Sequence, residues 1–408
     1  MAPPLSLSAS TVDSSRVRQM NSALVLRALR RLGQQTRAQL AKALGLNRST
    51  VTHIVRDLVD SGMVRETTRT PSAGGRPGIL LELDPEGGRL VGVEINIGVV
   101  GVVLTNFLGH VVWSRRSEIA SPREPFEELR VAEELVQEAL GATSLPVLGI
   151  GLAVAALVDA GVAVYSPYLN WRDVPLAEPW QVRFGLPVAV ENEANAAALG
   201  ERYFGVAREH ANFVFLSLGA GLAAGIFVNG ILLRGRHGFA GQIGHTVRDP
   251  NGVECRCGRR GCWVTQVGLN GITRRLREAY GEQSPPWLPS TDDEKAPHVT
   301  IRALTEAAER EEAAVLRILA EVGRDLGAGI ADAINLLDPQ SVVVGGALSP
   351  LVPYLLPEAE MAMQDSHLAG PRQNVSLLAS VHADHACAVG AAAAAFDSLI
   401  GATLAPKH

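Results

Sequence analysis

The chain has 408 residues and a formal net charge of −5; 47% of the residues are hydrophobic and 41 are glycines. This length accommodates two or three domains with buried cores, and because no run of 18 consecutive apolar residues occurs, we expect no transmembrane helix and no membrane partner. The first residues lack the basic start and apolar stretch of a signal peptide, so we expect a cytoplasmic protein with a disordered tail at residues 1–14.

The charge is distributed unevenly along the chain. Residues 1–85 contain 12 Lys/Arg and 6 Asp/Glu, a net charge of +6, whereas the remainder contains 25 and 36, a net charge of −11. A basic module attached to an acidic body predicts an anionic partner at one end of the chain only.

The basic module has the pattern of three helices. Residues 15–32 predict a first helix. Thr36 predicts the N-cap of a short helix that ends at Gly45, and Asn47 predicts the N-cap of a third. The apolar face of the first helix is expected to contain Val17, Met20, Leu24, Leu29 and Leu32, and that of the third Val51, Ile54, Val55 and Leu58.

The remaining side chains of the third helix suit contact with DNA. Short hydroxyl and amide groups near a helix N-terminus can reach base edges or phosphates, and arginines add positive charge. Residues 63–83 predict two strands around a Gly-rich, basic loop, so we expect 15–85 to form a winged helix-turn-helix domain, with use for protein contacts alone as the alternative. The predicted DNA-contacting residues are Asn47, Arg48, Ser49, Thr50, Thr52, His53 and Arg56 on the helix and Arg76 on the wing.

A breaker segment at residues 84–88 predicts a hinge before the acidic body. The body begins with two β-prone runs between residues 89 and 104 that turn near residues 96–98, and residues 123–140 and 305–335 have helical periodicity. The body is therefore expected to be an α/β structure.

A histidine and three clustered cysteines predict a closed structural zinc site. In a cytoplasmic protein such clustering favours a metal over disulfides, and Gly258 and Gly261 allow the backbone to turn tightly between the thiols. The alternative is three unrelated thiols near a histidine. The predicted ligands are His245, Cys255, Cys257 and Cys262.

Three further segments of the body are distinctive: ENEANAAALGE at residues 191–201, GAGLAAG at 219–225 and GFAGQIGH at 238–245. Together with the cysteine cluster, they resemble the ROK family of sugar kinases and sugar-responsive repressors, over roughly residues 88–395. The resemblance implies two actin-like (ribonuclease H-like) α/β lobes of ROK type behind the winged helix-turn-helix. The first lobe would comprise 88–200, completed by a C-terminal helix near 380–400, and the second, with the zinc site, 201–380.

The resemblance also implies which residues face a monosaccharide held between the lobes. Gln242 stands where the family has one sugar-binding glutamate, and Val264 stands where it has another. A glutamine can still donate and accept hydrogen bonds, whereas a valine can do neither. The implied sugar-contacting residues are Asn170, Asn192, Glu193, Gln242 and His245.

Positions that serve phosphoryl transfer in ROK kinases are altered. Ile97 and Ala220 replace a glycine and a threonine of the two phosphate-binding turns, and Glu193 replaces the catalytic aspartate. A branched side chain obstructs close approach of phosphate to the backbone. Since ROK repressors carry a winged helix-turn-helix that the kinases lack, we expect no enzyme activity.

The function expected from these features is repression of carbohydrate uptake or catabolism genes. The implied partners are a pseudo-palindromic operator DNA and a monosaccharide effector, and the implied assembly is a homodimer or tetramer. One alternative is an active ATP-dependent sugar kinase. The other is a regulator that has lost sugar and answers to a protein partner, for which restored sugar binding in Val264→Glu would be the sign.

Overall fold

The computed structural model describes residues 14–69, 78–119, 126–288, 297–366, 374–382 and 385–402. Of the predicted tail at residues 1–14, residues 1–13 lie outside the described residues, as do residues 70–77 of the predicted wing with Arg76. Contacts divide the chain into two units, residues 1–88 with 396–408, and residues 89–395. Among the described helices, none combines the length and the apolar composition needed to span a bilayer.

The described part of residues 1–88 contains three helices and a three-stranded antiparallel sheet in the order β1-β3-β2. The predicted caps are confirmed: Thr36 and Gln39 form a capping box, Gly45 ends the second helix with a φ of 64°, and the Asn47 side chain accepts from the N–H of Thr50. The elements are α1 (Ser14–Leu32), β1 (Gln35–Thr36), α2 (Arg37–Leu44), α3 (Arg48–Asp60), β2 (Val64–Arg69) and β3 (Ile79–Leu83).

The predicted apolar face is confirmed for α3 and wrong for α1. All four apolar residues predicted to face the core from α3 are buried. In α1 only Leu29 of the predicted set is buried, and Met20 is 45% exposed. Helix α1 contains enough apolar residues for two faces, and its contacts with α2, α3 and β3 select the one formed by Ala23, Val25, Leu26, Ala28 and Leu29.

Among its described residues, the second unit contains two five-stranded sheets with the same topology. In each sheet a central strand has an antiparallel hairpin partner on one side and parallel strands on the other, in the orders β11-β7-β4-β5-β6 and β14-β13-β12-β15-β16. A smaller sheet has the order β10-β9-β8. This repeated α/β arrangement agrees with the predicted actin-like fold.

The first half of this unit extends from β4 to α6. Its elements are β4 (Arg89–Asn96), β5 (Val99–Thr105), β6 (Val111–Glu118), α4 (Glu127–Gly141), β7 (Val147–Val154), β8 (Leu157–Asp159), β9 (Val162–Ser166), β10 (Trp171–Pro175), α5 (Ala177–Phe184), β11 (Val188–Asn192) and α6 (Glu193–Phe204).

The second half carries the longer helices. The helical pattern at 305–335 belongs to two helices rather than one, because the chain breaks at Glu311, which has a φ of 56°. The elements are β12 (Phe213–Leu218), β13 (Leu222–Val228), β14 (Ile231–Leu232), α7 (Val264–Val267), α8 (Leu269–Tyr280), α9 (Pro297–Glu309), α10 (Ala313–Leu337), β15 (Ser341–Gly345), α11 (Val352–Ser366), β16 (Ser376–Ala379) and α12 (Ala386–Ala402).

Helix α12 packs directly on the sheet of the first half. A Cβ atom at Gly92 of β4 would lie 1.9 Å from the carbonyl oxygen of Ala388, and one at Gly151 of β7 would lie 1.8 Å from that of Ala391. Glycine is therefore required on both strands for the helix to approach this closely. The contact places the start of α12 beside the carboxyl ends of the central strands.

Candidate functional site

A cavity of about 740 Å³ lies between the two halves of the larger unit. The turn that follows β4 lines it at Asn96 and Ile97, and the equivalent turn that follows β12 lines it at residues 219–221. The starts of α6 and α12 and the helix α9 also line it. Because the two sheets have the same topology, corresponding hairpin turns meet at one cleft.

Asn192 lines the cavity and fixes the start of α6. Its Oδ1 atom accepts a hydrogen bond from the N–H of Ala194 at 3.0 Å, and its Nδ2 atom donates to the carbonyl oxygen of Ala156 at 2.9 Å. The residue is only 7% exposed. These contacts hold the amide in place and position the next residue, Glu193.

Glu193 presents a carboxyl group at the cleft. Its Oε2 atom is buried and has no hydrogen-bond partner. Burial, followed by the negative charge of Glu94, raises the pKa of Glu193 to about 7, against an opposing hydrogen bond from Asn96. The side chain can therefore exchange a proton near neutral pH or accept a hydrogen bond from a ligand.

Gln242 and His245 reach the same cavity from a short 3₁₀ turn at Ile243–His245. The preceding Gly241 has a φ of 89°, and a Cβ atom there would lie 1.8 Å from the carbonyl oxygen of Ala224. The N–H of Ala224 donates to the carbonyl oxygen of Gly241 at 2.7 Å. The loop is thus pressed against β13, and this contact sets the position of both side chains.

Two positions that the family resemblance links to sugar binding, Asn170 and Val264, are not among the residues that line the cavity. Asn170 is exposed and has a φ of 55° in the turn before β10, a left-handed conformation that asparagine tolerates, so the turn accounts for it. Val264 is 5% exposed and packs in the hydrophobic core of the second half. A glutamate there would be buried without a partner, so Val264→Glu is a poor test of sugar binding.

Both altered phosphate-turn positions line the cavity. Ile97 occupies the turn after β4. Ala220 is contacted by Tyr168, whose hydroxyl donates to the Ala220 carbonyl oxygen at 3.0 Å. Burial, as the largest cause, raises the pKa of Tyr168 to about 12, so this hydroxyl remains a donor at neutral pH. A phosphate at this turn would meet a methyl side chain and a tyrosine.

Several cavity residues were not identified from the sequence. They come from elements distant in the chain: Arg116 and Glu118 end β6, whereas His298 begins α9. The Nε2 atom of His298 lies 3.2 Å from the Oε2 atom of Glu118. Cys387 of α12 is buried and also lines the cavity. No local sequence signal distinguishes these residues, because only packing brings them together.

The histidine and the three clustered cysteines converge on one point. One potential ligand atom from each of the four residues lies within 4.8 Å of the others. The Cys255 sulfur lies 3.6 Å from the His245 Nδ1 atom, and the Cys257 and Cys262 sulfurs are 3.6 Å apart. Tetrahedral zinc with bonds of about 2.3 Å to sulfur would separate two sulfurs by about 3.8 Å. The four side chains therefore fit a tetrahedral metal.

Glycine shapes this loop as expected. Gly258 and Gly261 have φ values of 84° and 66°, and a Cβ atom at Gly261 would lie 1.5 Å from the carbonyl oxygen of Asp249. Burial opposes ionisation of the Cys257 thiol, but hydrogen bonds from Arg259 and the neighbouring thiols lower its pKa to about 7. Metal ligation needs the thiolate, so Cys257 is ready to bind, whereas burial raises the pKa of Cys255 and raises that of Cys262 to about 12, and these two thiols would lose their protons on binding the metal.

The predicted DNA-contacting residues of α3 lie on its exposed side. All are exposed except Thr50, which is half-buried, and Arg76 lies outside the described residues. In the described part of the chain Arg48 and Arg56 form no ion pair, whereas Arg18 pairs with Asp57 and Arg37 with Glu66. The two unpaired arginines are thus available to an anionic partner.

Comparisons with known proteins agree with this architecture. The ROK family matches residues 93–398 and the MarR family residues 19–72. A putative xylose repressor from Caldicellulosiruptor sp. (strain Rt8B.4) is 30% identical over 392 residues, which cover 94% of this chain and 97% of that protein.

Solved structures resemble the chain over different extents. A ROK family transcriptional regulator, described as a homologue of the Escherichia coli MLC protein, has a TM-score of 0.78 and 27% identity, covering 95% of this chain and 99% of that chain. A ROK family glucokinase from Streptomyces griseus in complex with glucose and AMPPNP has a TM-score of 0.65 and 28% identity, covering 76% and 99%. The chain belongs to the ROK family and carries a MarR-type DNA-binding domain at its N-terminus.

Proposed function

We propose that this protein is a transcriptional repressor of carbohydrate genes whose affinity for DNA is controlled by a monosaccharide. The observation that carries the proposal is the presence, in one chain, of a winged helix with free arginines and a ROK body with a cleft. Similarity to a regulator over nearly the whole chain supports it, since the similarity to a glucokinase covers only 76% of the chain.

We place the effector in the cleft between the two halves of the body. Glu193, Gln242 and His245 line the cavity and can exchange hydrogen bonds with hydroxyl groups, while Asn192 orients Glu193. A sugar changes DNA affinity only if it binds one arrangement of the protein more tightly than another. About 3 kcal/mol of differential affinity would change DNA binding by more than 100-fold.

We assign zinc to the cluster of His245 and the three cysteines. The ligand type and the separations of the donor atoms support a closed structural site. Zinc there would brace the loop that carries Gln242 and His245 into the cleft. The metal thus has a positioning role and no catalytic one.

We infer that the protein binds DNA as a homodimer or tetramer in the cytoplasm. A dimer presents two α3 helices, so its operator would be pseudo-palindromic, with half-sites about 34 Å or a multiple of that apart. Four of the predicted DNA-contacting side chains already form hydrogen bonds within the first turns of α3 or its N-cap, namely those of Asn47, Ser49, Thr52 and His53. Arg48 and Arg56 are therefore the strongest anchors for DNA.

The double substitution R48A/R56A should weaken operator binding by at least about tenfold at 150 mM salt, because two phosphate or base contacts are lost. The slope of log affinity against log salt should fall by about 2. Fluorescence anisotropy with labelled DNA from the region upstream of the gene measures both. The charge-matched control R317A/R324A changes two exposed arginines of α10 and should bind like wild type. Unchanged affinity in R48A/R56A would contradict the assignment of α3.

The central test of function is the same anisotropy assay with a panel of pentoses, hexoses and amino sugars. One sugar should lower DNA affinity by at least about tenfold at saturation. Unchanged affinity with every monosaccharide would overturn sugar control and favour a regulator that answers to a protein partner.

An active sugar kinase is the second candidate, favoured by Glu193, whose pKa near 7 suits a general base. Ile97 and Ala220 at the two phosphate turns oppose it. We expect no sugar-dependent formation of ADP from ATP above the level of Glu193→Gln. Turnover that is lost in this variant would establish the kinase instead.

A further inference from the structure

Two carboxyl groups line the same cleft and are near enough for the charge of one to act on the other. Glu94, near the end of β4, is 7% exposed, and Glu193 begins α6. Both line the cavity, and the charge of Glu94 acts on Glu193. Burying two neighbouring carboxylates is unfavourable unless positive charge or donated hydrogen bonds compensate them.

Glu94 has two compensating partners, whereas Glu193 is compensated only in part, by a hydrogen bond from Asn96. The Oε1 atom of Glu94 accepts from the Nδ2 atom of Asn96 at 3.2 Å, and its Oε2 atom lies 4.0 Å from the Nη1 atom of Arg116. Glu193 has no ion pair in the described part of the chain, and its buried Oε2 atom has no hydrogen-bond donor.

The polar groups beside Glu193 are already engaged. The Tyr168 hydroxyl donates to the carbonyl oxygen of Ala220. The Asn192 amide bonds Ala156 and Ala194. Arg116, Arg259 and Arg302 line the same cavity, but none of them forms an ion pair with Glu193. The cleft therefore presents a carboxyl group whose Oε2 atom has neither a hydrogen-bond donor nor an ion-pair partner among the described residues.

We propose that the ligand of this cleft carries a protonated primary amine that binds the Glu193 carboxylate, so that an amino sugar with a free amine is preferred over the corresponding neutral sugar. This inference rests on the proposed function, in which the cleft holds a monosaccharide. An ammonium group brings both hydrogen-bond donors and the missing positive charge, whereas a hydroxyl brings a donor only. An N-acetyl group removes the charge and should remove the preference.

The test uses pairs of hexoses that differ at C2 only, with affinity measured by isothermal titration calorimetry on the full chain at pH 7. The pairs are glucose and glucosamine, galactose and galactosamine, and mannose and mannosamine. At least one amine should bind about tenfold or more tightly than its hydroxyl partner and than its N-acetyl derivative, the usual gain from a charge-assisted hydrogen bond.

In Glu193→Gln the affinities of the amino sugar and of its hydroxyl partner should differ by no more than about twofold, since glutamine keeps the shape of the side chain and removes its charge. Glu178→Gln removes an equal charge from an exposed position on α5 and should retain the ratio. If Glu193→Gln does not fold, the wild-type ratios decide alone. Equal affinity within every pair, or no binding of any amine, would overturn the proposal. Binding of Mg²⁺ that depends on Glu193, without a preference for amines, would also overturn it.

Failure of this inference is distinguishable from failure of the proposed function. If a neutral sugar releases DNA and binds at least as tightly as the amino sugars, the proposed repressor function stands and the preference for an amine is refuted. If an amino sugar binds through Glu193 without releasing DNA, the preference for an amine is supported and the control of DNA binding by a sugar is refuted.

Discussion

Replacing Cys262 with serine should remove metal from the purified protein and open the loop between Asp249 and Cys262 to proteolysis. The Cys262 sulfur is buried in the cluster, 3.6 Å from that of Cys257, and serine is a poor zinc ligand. Because structural zinc sites contribute on the order of 10 kcal/mol to local folding, loss of one ligand should abolish the ordered loop.

Elemental analysis and limited trypsin digestion measure this effect. Zinc content should fall from about one per chain to below about 0.1. The exposed Arg256, Arg259 and Arg260 give trypsin three sites in the loop, so cleavage there should accelerate about tenfold or more. The control is Cys387→Ala, a buried cysteine in α12 outside the cluster. Full zinc content in Cys262→Ser, or a wild-type protein purified without metal, would refute the site.

Glu193→Gln should stabilise the larger unit at alkaline pH and abolish part of its pH dependence. The pKa of Glu193 rises from 4.5 to about 7 on folding, mainly through burial and then through Glu94. Between these values the folded state holds a proton that the unfolded state has lost, so the free energy of unfolding decreases as pH rises. The decrease is about 3 kcal/mol, is absent below about pH 4.5 and is complete above about pH 8.

Calorimetric unfolding at several pH values between 5 and 8 shows whether the free energy of unfolding decreases as the pH rises. Glutamine carries no titratable proton, so the variant should gain stability relative to wild type as pH rises, by up to about 3 kcal/mol at pH 8. Glu178→Gln should show the wild-type dependence, since that carboxyl group is exposed. Parallel pH profiles for wild type and Glu193→Gln would show that Glu193 ionises normally in the folded protein.

The sequence alone determined the features that depend on local chemistry. Caps at Thr36, Gly45 and Asn47 defined two helices, since capping involves residues within four positions of each other. Three cysteines within eight residues identified the thiol cluster from the sequence. His245 was added to it as a fourth ligand, and its side chain does lie beside the three thiols. The two β-prone runs between residues 89 and 104 also predicted the hairpin of β4 and β5, whose turn lines the cleft.

Only the tertiary structure decided which surfaces meet. Helix α1 has apolar residues on two sides, and packing against α2, α3 and β3 selects one of them. Asn170 has a plausible chemistry for sugar contact but lies in an exposed turn. Glu94 and Glu193 are 99 positions apart, and they share the cleft because β4 and β11 end at the same edge of one sheet. Contacts between residues so distant leave no local periodicity or spacing in the chain, and they arise only when the sheets and helices pack.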